Sequence, residues 1–278
     1  MIRSNRRRGV VLTVLERVLD RLPRAGVIPG LGRRRSWNGS LIPSGCNDCP
    51  VDLGTGISAV TLDAHGVLLL PDPAVLRQAL KPFGVEPDDE ACWRAHFEMI
   101  RLIDQTAEPD WPGIHRAMAA ALGVPAERQV DAAPAAVDAY LTKQWVAAPG
   151  AADALARLES SGFSLAVIAN SPHGNVEDWL ADAGLCGTSG PLPRVACVLD
   201  SQLLGFGKPD RQIFELALTA LDAVPSQCAH VGDSLASDIL GAQAVGITPV
   251  HVDPCALCDS TDHVHTDSLA EFAGELLR

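Results

Sequence analysis

Short apolar segments alternate with amphipathic helical patterns along most of the chain from residue 57 onwards. The apolar segments are SAVTLD (58–63), SLAVIAN (164–170), RVACVLD (194–200), CAHVGD (228–233) and TPVHVD (248–253). Helical patterns cover residues 150–162, 174–185, 211–223 and 236–246. Strands that are apolar throughout are typical of a parallel sheet with helices on both faces. The sequence therefore predicts an α/β fold with a doubly wound parallel sheet.

A long interval separates the first two of these strands. It is far longer than one crossover helix needs, and its patterns (residues 72–84, 88–104, 111–123 and 133–145) are all helical. We expect an all-helical cap at 73–148, inserted after the first strand into a core formed by 57–72 and 149–278. Such a cap would lie over the carboxyl edge of the sheet, where it can select substrates and exclude water.

The first 56 residues have a different composition. Residues 1–36 contain ten arginines and only two acidic residues, Glu16 and Asp20. Residues 37–56 are rich in Gly, Pro, Ser and Asn. This pattern predicts a poorly ordered basic extension followed by a linker. An alternative is a basic amphipathic helix that lies on an anionic membrane. No apolar stretch approaches the length of about 18 residues that a membrane span needs.

Charge and cysteine content narrow the partners and the compartment. The net charge is −12 and the acidic residues are concentrated after residue 36, which argues against nucleic acid as a partner. Two CxxC pairs, Cys46–Cys49 and Cys255–Cys258, could together form a four-thiolate zinc site. The separation of about 200 residues between the pairs argues against this alternative. We expect reduced cysteines and a cytoplasmic protein. The sequence leaves the oligomeric state open.

Polar residues that follow the predicted strands indicate a reaction centre. Asp63 follows the first strand, and Asp233 and Asp238 follow the strand at 228–233. Three carboxylates at one edge predict a Mg²⁺ site. Lys208 precedes Pro209 at a helix start and is expected to face the same edge. A cation and an ammonium group beside Asp63 would neutralise a phosphoryl group and permit attack by that carboxylate.

These residues resemble the motifs of the haloacid dehalogenase-like (HAD) hydrolases. The similar segments are DAHGVL (63–68), VIANSP (167–172), GKPD (207–210) and GDSLASD (232–238). The resemblance implies a Rossmann-like core with a helical cap, a nucleophilic Asp63 that also binds Mg²⁺, and a charge-stabilising Lys208. It further implies that Asp233 and the backbone carbonyl of His65 bind Mg²⁺. Asp238 would either support this site or act as a further ligand.

Two positions depart from the family pattern. His65 stands where family phosphatases have a carboxylate that protonates the leaving oxygen; imidazole can supply acid–base catalysis, or the ring can merely fill the turn. Ala169 stands where the family has Ser or Thr for a phosphate oxygen, and Asn170 or Ser171 is expected to substitute.

The resulting prediction is a metal-dependent hydrolase that acts as a phosphatase on a small phosphorylated metabolite through an aspartyl-phosphate. The alternatives are a haloacid dehalogenase-type hydrolase and a non-catalytic regulatory protein on the same scaffold. Specificity is expected to lie in the cap, where the candidates are Trp93, His96, Arg101, Trp111, His115 and Arg116. Within the helical pattern at 88–104, apolar spacing assigns Trp93 to the core and leaves the polar residues as contact candidates.

Overall fold

The computed structural model describes residues 56–141 and 144–278. The predicted basic extension and linker at 1–56 lie outside this range, apart from Gly56. Cys46 and Cys49 therefore also lie outside it. Among the described helices, none is both long enough and apolar enough to cross a membrane.

A six-stranded parallel sheet forms the centre of the described chain. Its strands are β1 (Ala59–Leu62), β4 (Ser164–Ala169), β5 (Val198–Asp200), β6 (Cys228–Gly232), β7 (Thr248–Val252) and β8 (Val264–Thr266). They lie in the order β5-β4-β1-β6-β7-β8. Two further strands, β2 (Leu69–Pro71) and β3 (Trp145–Ala147), pair antiparallel. This short ribbon stands at the two points where the chain leaves and re-enters the core.

The helices fall into two groups along the chain. Those of the insertion are α1 (Pro73–Leu80), α2 (Asp89–Asp104), α3 (Trp111–Ala121) and α4 (Gln129–Leu141). Those of the core are α5 (Ala151–Ser160), α6 (Val176–Asp182), α7 (Ser201–Leu204), α8 (Arg211–Leu221), α9 (Leu240–Val245) and α10 (Leu269–Leu276). A π-helical turn, Leu235–Ile239, precedes α9.

Side chains from alternating strand positions pack against helices on the two faces of the sheet. On one face, Val60 and Leu62 belong to a buried cluster with Leu155 of α5 and Phe272 of α10. On the other face, the Thr61 hydroxyl lies 2.9 Å from Nδ1 of His230. The His230 ring meets the Phe214 ring of α8 edge-on, with centroids 5.1 Å apart. This burial on both faces explains why most strand residues are apolar.

The four inserted helices have an apolar core of their own. Leu76, Leu80, Met118 and Leu122 are almost completely buried within it. Asp72 and Asp88 cap the amino ends of α1 and α2, where their carboxylates accept main-chain N–H groups. The structure confirms the predicted fold class, an α/β sheet with a helical insertion after the first strand. The β2–β3 ribbon and strand β8 were not predicted.

Candidate active site

Asp63, Asp233, Asp238 and Lys208 meet at the carboxyl edge of the sheet. Asp63 follows β1, Asp233 follows the adjacent β6, and the π-helical turn after β6 brings Asp238 back toward the strand ends. All four residues are buried. One oxygen from each of the three carboxylates lies within 4.8 Å of the others. The structure therefore places together the residues that the sequence assigned to catalysis and metal binding.

Lys208 forms ion pairs with two of the carboxylates. Its Nζ atom lies 2.8 Å from Oδ1 of Asp63 and 2.6 Å from Oδ1 of Asp238. Asp238 has further partners, because Nε2 of His230 lies 2.8 Å from Oδ1 and the N–H of Ser234 donates to Oδ2 at 3.1 Å. Asp238 is thus held by Lys208 and the core, while Asp63 accepts only Lys208 and the Ala64 N–H among the described residues.

The buried charges at this edge do not balance. When all three carboxylates are ionised, the one ammonium group leaves a surplus of two negative charges. Burial raises the pKa of Asp63 well above its ordinary value, and the charges of Asp238 and Asp233 add to the increase while Lys208 opposes it. A divalent cation would offset this surplus, and carboxylate oxygens are the ligands that Mg²⁺ prefers. The residues present therefore fit a Mg²⁺ site.

Two glycines permit the close approach of these groups. Gly66 has a φ of +77°, and a Cβ there would collide with the Asp233 carboxylate and lie 2.8 Å from Nε2 of His96. A Cβ at Gly232 would collide with the side chain of Asp238. Any larger residue at either position would displace a carboxylate of the site.

The cap contributes side chains to the same edge. Nε2 of His96, on α2, lies 2.8 Å from Oδ2 of Asp233, and its Nδ1 lies 2.8 Å from the hydroxyl of Tyr140 on α4. Burial raises the pKa of Tyr140, so the hydroxyl keeps its proton. In the neutral imidazole, Tyr140 then donates to Nδ1 and the Nε2–H donates to Asp233. This arrangement leaves Oδ1 of Asp233 without a hydrogen-bond partner in the described part of the chain.

A second contact ties the cap to the core. Asp104, at the end of α2, accepts hydrogen bonds from the Ser234 hydroxyl at 2.7 Å and from the Leu235 N–H at 2.6 Å. These donors stand at the start of the turn that carries Asp238. Burial raises the pKa of Asp104 to about 6.

His65 packs against two tryptophans. Its ring centroid lies 4.5 Å from that of Trp145 on β3 and 5.8 Å from that of Trp179 on α6. Burial lowers the pKa of His65 to about 3, and the nearby His96 and Lys208 add to the decrease. The imidazole is therefore neutral at neutral pH, and in this form it can donate a hydrogen bond but carries no charge.

The two residues expected to substitute for the missing Ser or Thr differ in position. Asn170 exchanges two hydrogen bonds with the main chain of Lys208, at 2.8 and 2.9 Å, and it lines the cavity described below. Ser171 is buried, and its hydroxyl accepts the N–H of His173. Asn170 thus holds the Lys208 segment in place. The binding of phosphate by either residue stays a prediction, as does the His65 carbonyl ligand.

A cavity of about 520 Å³ lies between the cap and the carboxylates. This volume suits a small organic ligand. The exposed surface of its described lining is mostly apolar. Its polar side chains include Asp63, His96, Asp104, Asn170 and Asp233, and the described lining contains no lysine or arginine. The lining includes Ile100, Ile103, Tyr140, Trp145, His173 and Trp179.

The family model of haloacid dehalogenase-like hydrolase matches residues 57–246. The chain belongs to the HAD-like hydrolases. The matched region begins just before β1 and contains the four segments DAHGVL, VIANSP, GKPD and GDSLASD, so the resemblance identified in the sequence is confirmed.

Curated relatives in this family include enzymes of more than one activity. The chain is 34% identical over 105 residues to a phosphoserine phosphatase of Thermus thermophilus, a match that covers 38% of this chain and 40% of the relative. It is 34% identical over 114 residues to a ribulose-1,5-bisphosphate 5-phosphatase of Halopiger xanaduensis (41% and 45%). The chain thus spans less than half the length of these relatives. It is 26% identical over 230 residues to (S)-2-haloacid dehalogenase 1 of a Pseudomonas species (80% and 97%).

Solved structures share the fold of this HAD-like chain. A dehalogenase with an intermediate complex matches with a TM-score of 0.53 and 20% identity, covering 80% of this chain and 98% of that one. The magnesium-bound HAD-hydrolase YfnB of Bacillus subtilis matches with a TM-score of 0.52 and 17% identity, covering 80% and 99%.

The six candidate contact residues of the cap differ in whether they reach the cavity. Of the six, His96 alone contacts Asp233 and lines the cavity. Arg101 pairs with Glu98, and Trp111 is 49% exposed. Tyr140, Asp104 and Trp145 were not predicted as site residues. Tyr140 lies in the alanine-rich helix α4, and its hydroxyl was the one sequence signal that could have marked it as a site residue.

Proposed function

We propose that this HAD-like hydrolase is a Mg²⁺-dependent phosphatase that acts on a small phosphorylated metabolite, with Asp63 as the nucleophile. The observation that carries the proposal is the uncompensated negative charge of Asp63, Asp233 and Asp238 around Lys208 at one end of the cavity. A phosphate monoester is an anion, and the cavity has no described lysine or arginine in its lining to receive it. A bound divalent cation would make this acidic edge attractive to the substrate.

Asp63 and Asp233 are the carboxylates best placed to hold the cation. Oδ1 of Asp233 has no hydrogen-bond partner among the described residues. Asp63 would share with the cation the oxygen that Lys208 and the Ala64 N–H hold, which keeps its other oxygen for the reaction. Both oxygens of Asp238 are engaged by Lys208, His230 and Ser234. We therefore assign Asp238 to the support of Lys208 rather than to a direct bond with the metal. When bound, Mg²⁺ supplies positive charge that neutralises the oxygens of the phosphoryl group.

The chain's own residues account for the transfer step. Oδ1 of Asp63 is held by Lys208 and by the Ala64 N–H, which leaves Oδ2 to attack phosphorus. The new Oδ2–P bond forms as the bond between phosphorus and the ester oxygen breaks, and the departing oxygen takes a proton from water. A second water molecule then attacks phosphorus, the Oδ2–P bond breaks, and inorganic phosphate leaves as the Asp63 carboxylate is restored. Lys208 offsets part of the negative charge at Asp63 throughout.

The walls of the cavity favour a substrate with an apolar portion. Trp145, Trp179, Tyr140 and Ile103 present apolar surface around the reacting end. The phosphatase names of the Thermus and Halopiger relatives support a small phosphorylated substrate.

A metabolite screen tests the proposal. Phosphorylated metabolites are incubated with the full chain in excess Mg²⁺ or in excess chelator, and inorganic phosphate is measured. We expect release in Mg²⁺ and none in chelator, and we expect Asp233→Asn to require far more Mg²⁺. Asp182→Asn, an exposed carboxylate of α6, is the control and should behave as wild type. Phosphate release that persists undiminished in chelator would exclude the metal-dependent mechanism.

The dehalogenase relative supports a second candidate function. That match covers 97% of the Pseudomonas enzyme, although at 26% identity. The same Asp63 oxygen would then attack the halogen-bearing carbon of a 2-haloacid. Halide release from 2-haloacids in excess chelator, with no phosphate release from any metabolite, would favour this candidate.

A further inference from the structure

Three histidines and a cysteine converge at the β7–β8 edge of the sheet. His251 on β7 pairs in register with His265 on β8, and His263 lies two residues before His265. Cys258 belongs to the connection between the two strands. One ligand atom from each of these four residues lies within 4.8 Å of the others. We call this set the His₃Cys cluster.

Hydrogen bonds on the outer side of the cluster orient two of its rings. Nε2 of His251 lies 3.2 Å from the carbonyl oxygen of Asp233, an acceptor, so this nitrogen carries the proton and Nδ1 carries the lone pair. Nδ1 of His263 lies 2.6 Å from the Asp262 carboxylate, so in the neutral ring Nδ1 donates and Nε2 carries the lone pair. An imidazole whose outer nitrogen donates to an oxygen is the usual arrangement of a metal-binding histidine.

The two lone pairs face each other. Nδ1 of His251 lies 3.3 Å from Nε2 of His263, and the same Nε2 lies 3.7 Å from Sγ of Cys258. Tetrahedral zinc, with Zn–N of about 2.0–2.1 Å and Zn–S of about 2.3 Å, places two nitrogens about 3.3 Å apart and a nitrogen and a sulfur about 3.6 Å apart. The two contacts thus have the lengths of tetrahedron edges.

The remaining histidine has an unsatisfied nitrogen. Nε2 of His265 is buried and makes no hydrogen bond within the described residues. The His265 ring stacks on that of His263 with centroids 4.6 Å apart. A buried nitrogen without a partner is costly, and a bound cation would remove that cost.

The connection that carries Cys258 is also held in place. The N–H groups of Leu257 and Cys258 donate to the two carboxylate oxygens of Asp253 at 2.9 and 2.8 Å. The thiol is therefore delivered to the histidines by an ordered turn of the main chain.

We propose that His251, Cys258, His263 and His265 bind one Zn²⁺ ion in a closed structural site. Imidazole and thiolate ligands suit zinc, and four protein ligands leave no position for a substrate. The site is separate from the carboxylates that we assign to Mg²⁺, and His251 joins the two through the Asp233 carbonyl. The ion would fix the β7–β8 connection and, through His251, the main chain at Asp233.

Metal analysis of the intact protein tests the site. The full chain is purified without a polyhistidine tag in buffer with excess Mg²⁺, and zinc is measured by mass spectrometry. We expect about one zinc per chain, its removal by a strong chelator, and its return on titration with Zn²⁺ alone. Cobalt added in place of zinc should give a thiolate-to-cobalt charge-transfer band. A cobalt-treated wild-type protein without that band, or a stripped protein that takes up no zinc, would overturn the proposal.

Paired cysteine variants identify the ligands. Cys258→Ala should lose the zinc and the cobalt band, and His263→Gln should lose the zinc. Cys255→Ala, the other member of the same CxxC pair, should keep both. Loss of zinc in Cys255→Ala would favour a thiolate site built from the CxxC pairs instead. Full zinc content in Cys258→Ala would reject the ligand set. Copper in place of zinc in the wild-type protein would reject zinc as the bound ion.

Discussion

Nε2 of His96, on the second helix of the cap, lies 2.8 Å from Oδ2 of Asp233, at the end of a central strand of the core. Both side chains are buried. With the Asp104 contacts to Ser234 and Leu235, this hydrogen bond couples the position of the cap to the carboxylates that would hold Mg²⁺. Closure of the cap and organisation of the metal site are therefore expected to occur together.

Replacement of His96 tests this coupling. His96→Ala leaves Oδ2 of Asp233 without its partner, so we expect the Mg²⁺ concentration for half-maximal activity to rise about 10- to 100-fold. His115→Ala changes a histidine of the neighbouring cap helix that lies against Trp111 and does not line the cavity. It should leave the Mg²⁺ requirement unchanged. Equal effects of the two substitutions would show that His96 does not position Asp233.

Replacement of Asp63 tests the nucleophile. Asp63→Asn keeps the shape of the side chain and removes its charge, so we expect phosphatase activity to fall by at least about a thousandfold. Thermal unfolding should show that the protein remains folded. Acid quenching of the wild type during turnover should trap phosphate on the protein, and the variant should trap none. Labelling that persists in Asp63→Asn would assign the nucleophile to another residue.

The role of His65 is tested with a pair of variants of equal size. His65→Asp introduces the carboxylate that the family pattern has at this position, whereas His65→Asn removes the same ring contacts with Trp145 and Trp179 and adds no acid. If proton donation to the leaving oxygen limits turnover, only His65→Asp should raise kcat for alkyl phosphates relative to aryl phosphates, which need less protonation. Identical alkyl-to-aryl ratios in both variants would place proton donation elsewhere.

The raised pKa of Asp104 predicts a pH-dependent contribution to stability. Because its folded-state pKa of about 6 exceeds the unfolded value near 3.8, this contribution is full below about pH 4 and is lost as the pH rises through 6. The urea midpoint of the wild type should therefore fall relative to that of Asp104→Asn as the pH rises from 4 to 7. A difference that is constant over this range would show that Asp104 titrates alike in both states.

Much of the candidate active site could be located from local sequence patterns. Asp63 and Asp233 each follow an apolar strand, and parallel strands in one sheet bring their carboxyl ends to the same edge. Lys208 was placed there by its position before Pro209 and by the family motif. The contact of His96 with Asp233 had no such signal, because it depends on how the cap packs on the core, across 137 positions of the chain.

The short strands β2 and β3 could not be predicted from the sequence for a similar reason. Strands β2 and β3 have three residues each and lie on either side of the whole cap, so each lacks a recognisable period and finds its partner only in the folded chain. The histidines of β7 and β8 were visible in the sequence near a CxxC pair. Their convergence with Cys258 required the parallel register that places His251 beside His265.

The sequence by itself determined the class of fold, the family, and which carboxylates and lysine come together at the candidate active site, because strand hydrophobicity and motif spacing are properties of contiguous residues. The tertiary structure decided which cap residues enter the site, why His65 is neutral, and where three histidines and a thiol face one another. Those properties depend on burial and on distances between segments that are remote in the chain, and no local pattern encodes them.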